Sequence, residues 1–103
     1  LTFNAARYTL APMIKSFKCK QTQALYEGQC PRQFRAFRAQ AERKLQMLDC
    51  AVELADLRLP PGNRLEKLSD DRQGQYSIRI NQQWRICFSW TDAPCDVEIT
   101  DYH

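Results

Sequence analysis

GQYSIRINQQWRICFSW, residues 74–90, decides the fold. Its apolar residues fall at every second position: Tyr76, Ile78 and Ile80, then Trp84, Ile86, Phe88 and Trp90. A period of two places alternate side chains on opposite faces of a half-buried strand. Asn81-Gln82-Gln83 interrupts the pattern with a tight polar turn, so the two runs form an antiparallel hairpin. Trp84 and Trp90 lie an even number of residues apart and share a face if the strand is unbroken. They serve either as core or as stacking platforms for bases. Downstream, Thr91 to Pro94 turns, and Asp96 to Tyr102 reads as a last strand with Val97 and Ile99 on one face. Upstream, Arg64 to Leu68 alternates and Ser69–Gly74 is a polar turn. Such short gaps predict a four-strand antiparallel meander.

Before the meander the period changes. Leu59-Pro60-Pro61-Gly62-Asn63 is a loop, because two prolines and a glycine cannot continue a helix. On its N-terminal side, Phe34, Phe37, Ala41, Leu45, Leu48 and Val52 recur at steps of three and four. That is the buried stripe of an amphipathic helix opened by Pro31. Its other face carries Arg32, Arg35, Arg38, Arg43 and Lys44. A second short helix is predicted over Ala51 to Leu57, with a break near Asp49–Cys50. Thr22 to Tyr26 suits a single helical turn closed by Gly28, and Met13 to Lys18 a short edge strand guarded by lysines. The order predicts an α+β domain with helices on one face of the sheet. Residues 1–12 show no clean period and precede MIKSF, which reads like a translation start. They are expected to be an upstream extension or expression remnant, or else an arm pairing through Phe3 and Tyr8; the domain proper is 13–103.

Composition narrows the function classes. A chain of 103 residues fits one compact domain and excludes a doubly wound nucleotide-binding fold or an eight-fold barrel. No apolar run approaches the roughly 20 residues of a membrane span, and no secretory signal pattern is present, so the cytoplasm is the default expectation. The net charge of +3 conceals an asymmetry. Residues 1–52 hold nine Lys/Arg against three Asp/Glu, whereas 53–103 hold six against nine. A basic face can track phosphates, or it can simply be solvated. Five cysteines at 19, 30, 50, 87 and 95 include no CxxC pair, which argues against a structural zinc site and a disulfide framework. Cys50 and Cys87 fall in apolar patterns and are expected to be buried. A single histidine, His103, leaves no multi-histidine metal site; no metal or other cofactor is expected.

Four strings carry a resemblance: MIKSF at 13–17, LPPGNRLEKL at 59–68, the hairpin quoted above, and DYH at 101–103. In that order and at those spacings the chain resembles the HigB-type toxins of the RelE/ParE superfamily, from type II toxin–antitoxin systems. The resemblance covers Met13 to His103. It implies a RelE-like α+β fold, with an N-terminal strand and two helices packed on one face of a twisted antiparallel sheet. It implies a ribosome-dependent endoribonuclease that cuts messenger RNA, without metal, in the ribosomal A site. It also implies a HigA-type helix-turn-helix antitoxin, and an operator bound by the pair.

Cutting RNA without metal needs a base for the 2′-hydroxyl proton, positive charge on the phosphorane, and an acid for the leaving 5′-oxygen. By resemblance, Arg85 binds the phosphate and stabilises the transition state, as a fixed guanidinium can. Asp101 accepts the 2′-hydroxyl proton or orients its neighbours, Tyr102 stacks or bonds phosphate, and His103, with an ordinary pKa near 6.5, exchanges protons at neutral pH. Arg64, Lys67 and Arg79 are candidate RNA contacts, and Arg32, Arg35, Arg43 and Lys44 suit ribosomal RNA. The chain departs from many relatives at two positions, having Glu66 and Ser69 where they have His and Lys. Two alternatives to nuclease action therefore stay open: a toxin that acts by binding gyrase or the ribosome, and a co-repressor on operator DNA.

Overall fold

A computed structural model describes residues 13–101. Two helices, α1 (Lys20–Tyr26) and α2 (Arg38–Cys50), pack against a four-stranded sheet. Its strands are β1 (Glu66–Lys67), β2 (Gln75–Arg79), β3 (Arg85–Trp90) and β4 (Pro94–Thr100), adjacent in chain order and all antiparallel. The α+β reading is therefore correct, down to the meander. The N-terminal strand expected over Met13 to Lys18 is reduced to a parallel bridge, Phe17 to Val97. The Val97 amide donates to Ser16 O at 3.1 Å, and the Lys18 amide to Val97 O at 3.0 Å. The expectations for residues 1–12 lie outside the described residues.

One core joins helices and sheet. Phe34, Phe37, Ala41, Leu45 and Leu48 face Ile78, Ile80, Ile86, Phe88, Val97 and Ile99. These are the residues that the two periods singled out, and burying each large side chain contributes about 1.5–3 kcal/mol. Trp84 stacks on Phe37 with centroids 5.1 Å apart and meets Phe34 edge-on at 5.9 Å. Both tryptophans are partly buried against the core, which resolves their two readings toward packing. Thr22 is fully buried, and its Oγ1 accepts from the Ile99 amide at 2.9 Å, tying α1 to β4.

Several boundaries differ from expectation, each for a local reason. The segment after Pro31 winds first as a 3-10 helix over Arg32–Phe37, and the α-helix starts only at Arg38. At its end Ala51 turns extended, with φ −68° and ψ 132°, so the stripe stops at Leu48. Val52 is consequently 57% exposed and Ala51 buried in its place. Cys50 is likewise exposed rather than buried, whereas Cys87 is buried as expected. The second short helix is a 3-10 turn over Leu54–Arg58, begun by a capping box in which Asp56 accepts from the Glu53 amide at 3.0 Å. The alternation over Arg64 to Leu68 yields only two strand residues, because Arg64 sits at φ +47°, off the strand path. The last strand begins earlier than expected, at Pro94, and absorbs a register shift opposite Cys87 and Ser89, with Asp96 at φ +53°.

Candidate active site on the open sheet face

Antiparallel register builds a polar row on the face turned away from the helices. Glu66 pairs with Ser77, Ser77 with Cys87, and Cys87 with Glu98, so these four residues cross all four strands in line. The next row contains Arg79, Arg85 and Thr100. Because alternate residues share a face, Arg85 lies beside Ser77 on this open side while Ile86 points into the core.

Arg85 is held by several partners on this face. Its Nε donates to Ser77 Oγ at 2.9 Å, and its Nη2 to Arg64 O at 2.9 Å. The Glu66 carboxylate stands 3.6 Å from the same Nη2. Only 15% of the Arg85 side chain is exposed, against 54% for Glu66. The guanidinium is thus held by a hydroxyl and a carbonyl, while Glu66, its charged partner among the described residues, is half exposed. Along the same face, Arg72 donates to Glu98 at 3.3 Å and Gln75 at 3.1 Å. Burial pushes the Cys87 thiol up, against a downward pull from Arg72, so it stays protonated beneath this lattice.

Asp101 follows Thr100, the cross-strand partner of Arg85, and accepts from Gln83 Nε2 at 2.8 Å. The chain therefore leaves the sheet toward DYH at the end that holds Arg85 and the β2–β3 turn. Tyr102 and His103 lie outside the described residues.

The remaining candidates divide. Arg64 reaches Arg85 through its backbone carbonyl, which is a different role from the side-chain phosphate contact expected. Lys67 pairs with Tyr76, one residue out of phase with Glu66. It lines a cavity of about 660 Å³ on the helix side with Leu54, Arg58, Leu65 and Tyr76, so the structure does not bring it to Arg85. Arg79, although Arg85's strand partner, donates to Asn81 O at 3.0 Å and shares a second cleft with Arg43 and Lys44. Arg32 and Arg35 are exposed on the 3-10 turn, and Arg38 is engaged by Glu42 at 3.1 Å. The basic stripe is therefore two patches and not one continuous face. Ser69 is the N-cap of the 3-10 turn after β1. Ser77 escaped the sequence reading. Its only signal was a small polar residue in a strand, which has meaning only once the register sets it beneath Arg85.

The fold and the arginine-centred open face define a small α+β protein suited to holding an anion against a sheet. Comparison with known proteins is more specific. The family described as "RelE-like toxin of type II toxin-antitoxin system HigB" matches residues 15–103, and the chain belongs to this family of HigB-like toxins. It is 51% identical over 51 residues to Toxin HigB-1 of Vibrio cholerae, covering 50% of this chain and 54% of that protein. It is 42% identical over 61 residues to an uncharacterized protein of Haemophilus influenzae, covering 59% and 60%. To Endoribonuclease HigB of Proteus vulgaris it is 32% identical over 93 residues, covering 88% of this chain and all of that relative. The matched stretches thus span just over half the length of the first two relatives and the whole of the third. Among the described residues no helix is long and apolar enough to cross a membrane.

Proposed function

We propose that the chain is the toxin of a toxin–antitoxin pair and an endoribonuclease that cuts messenger RNA on the ribosome, without metal. The observation that carries this is Arg85, a guanidinium oriented by Ser77 and Arg64 O on an open polar face, at the strand end that leads into DYH. Support also comes from the relative named an endoribonuclease, matched over its full length.

In this reading a backbone phosphate displaces Glu66 and lies on Arg85. The 2′-oxygen attacks phosphorus while a carboxylate, Asp101 by resemblance, takes its proton. Arg85 stabilises charge gathering on the equatorial oxygens, and the 5′-oxygen leaves with a proton from His103. The products are a 2′,3′-cyclic phosphate and a 5′-hydroxyl. Tyr102 supplies a stacking surface for a flanking base. Neutralisation falls to a HigA-type helix-turn-helix antitoxin, and the pair occupies its operator.

Primer extension on a translated message, with and without the protein, tests the activity. Cuts inside codons on translating ribosomes are expected. Arg85→Ala and His103→Ala should each lower the cutting rate by about 10²–10³, the usual loss when a transition-state charge partner is removed, and relieve growth inhibition with the fold kept. Full toxicity in both variants would sink the site. Supercoiling defects without cuts would favour a gyrase-binding toxin, which the Glu66 carboxylate beside Arg85 makes the specific alternative.

A further inference from the structure

A second cleft, of about 470 Å³, opens between α2 and the β2–β3 turn. Gln40, Arg43 and Lys44 line it from the helix, and Arg79, Asn81 and Gln82 from the end of β2 and the turn. Its walls hold three cations and three amides, and no carboxylate. Lys44 is half-buried there and bonded to Asn63 Oδ1. Asn63 is itself fully buried, with its amide donating to Leu57 O and Leu59 O at 3.2 Å each. The Lys44 stem is thereby set in place by a rigid loop. Burial, and then Arg43, push its pKa down, so the fold charges this ammonium at a cost that an anion in the cleft would relieve. Arg79 Nε is held by Asn81 O, which orients that guanidinium too. A site of cationic and amide donors without a carboxylate, two of its cations held by neighbouring oxygens, is complementary to an oxyanion.

Position says which oxyanion. Arg79 and Arg85 are direct partners across β2 and β3, so the Arg79 wall of the cleft stands beside the Arg85 site at the same end of the hairpin. We infer that this cleft is a second phosphate subsite, which holds a backbone phosphate of the same single-stranded RNA whose neighbouring phosphate lies on Arg85. The inference rests on the RNA-binding part of the proposed function, and not on cleavage itself. The two subsites fix the strand's direction across the hairpin end, a positioning role separate from the chemistry.

The test is fluorescence anisotropy with the full chain and an uncleavable, 2′-deoxy-substituted oligonucleotide, titrated over a range of salt. The double variant Arg43→Gln, Arg79→Gln should bind more weakly. Its salt slope should also fall by about 0.7, the value for one phosphate of a single strand. Gln82→Glu, which places a charge on an exposed turn residue, should weaken binding alike and controls for folding. A mononucleotide, with one phosphate, should bind these variants as it binds the parent. Unchanged oligonucleotide affinity and slope in both variants would overturn the subsite. So would normal oligonucleotide binding with lost co-sedimentation on ribosomes, since the cleft would then take a ribosomal phosphate. A protein that shows the expected slopes but cuts no message would keep this subsite and remove the nuclease reading.

Discussion

Glu66 is the residue at which the proposed site departs from the resemblance. The resemblance expects a histidine there, and a carboxylate instead stands 3.6 Å from the Arg85 guanidinium. An incoming phosphate must compete with it. The pair is half-exposed on the Glu66 side, and exposed ion pairs are worth about 0.2–1 kcal/mol. Glu66→Gln should therefore tighten binding of an uncleavable oligonucleotide by up to about fivefold, read as a change in anisotropy midpoint. Arg85→Lys should lower the cutting rate in the primer-extension assay, because an ammonium cannot reach Ser77 Oγ and Arg64 O while presenting a planar fork to phosphate. Arg85 was legible in the sequence as a candidate, and Glu66 as a departure from the family pattern. Their mutual contact was not, since it depends on which residue of β1 faces Ser77.

At the scale of elements, the N-terminal segment is held to α2 by one carboxylate. Asp49 Oδ1 accepts from the Ile14 amide and from the Tyr26 hydroxyl, each at 3.0 Å. Asp49→Ala should cost about 2 kcal/mol, as two charge-assisted bonds are lost to partly exposed donors, measured as a shift of the urea midpoint. The Tyr26 hydroxyl is pushed up to about 12, by burial first and then by its bond to Asp49. A raised folded-state value means that the folded form binds this proton more tightly than the unfolded chain does. The stabilisation is full below about pH 10 and is lost as the pH rises from about 10 to about 12. Thermal melts should fall over that window in the parent, and less so in Asp49→Asn. The 3-10 turns tell a similar story about legibility. The spacing over Phe34 and Phe37 reads as helix, and both residues are buried as that spacing requires. Both rings pack on Trp84, which lies nearly fifty residues away in the chain.

Over the whole molecule, the excess of basic residues before position 53 resolves into separate patches. Arg43 and Lys44 join Arg79 in a cleft, Arg38 is paired with Glu42, and Arg32 and Arg35 remain on the surface. In the proposed function, Arg32 and Arg35 are the exposed cations available to neutralise ribosomal RNA phosphates. Reversing both to Glu should reduce co-sedimentation with ribosomes most at low salt, with the difference shrinking as screening rises. No change at any salt would mean that this patch is merely solvated. The acidic half of the chain is distributed differently: Glu98 is tied to Arg72 on the open face, and Asp92 to Lys15 at the N-terminal bridge.

The α+β class, the four-strand meander and nearly all of the core were legible in the sequence. These follow from local periods of two and of three to four, which state what each residue does relative to its neighbours. The sequence also singled out Arg85. Three features came from long-range packing alone: Ser77 and Arg64 O orient that arginine, Lys67 faces away from it, and Arg79 joins Arg43 and Lys44. Each of these depends on the register between strands distant in sequence or on the path of a loop. A shift of one residue there reverses every side chain's face while leaving the local pattern unchanged.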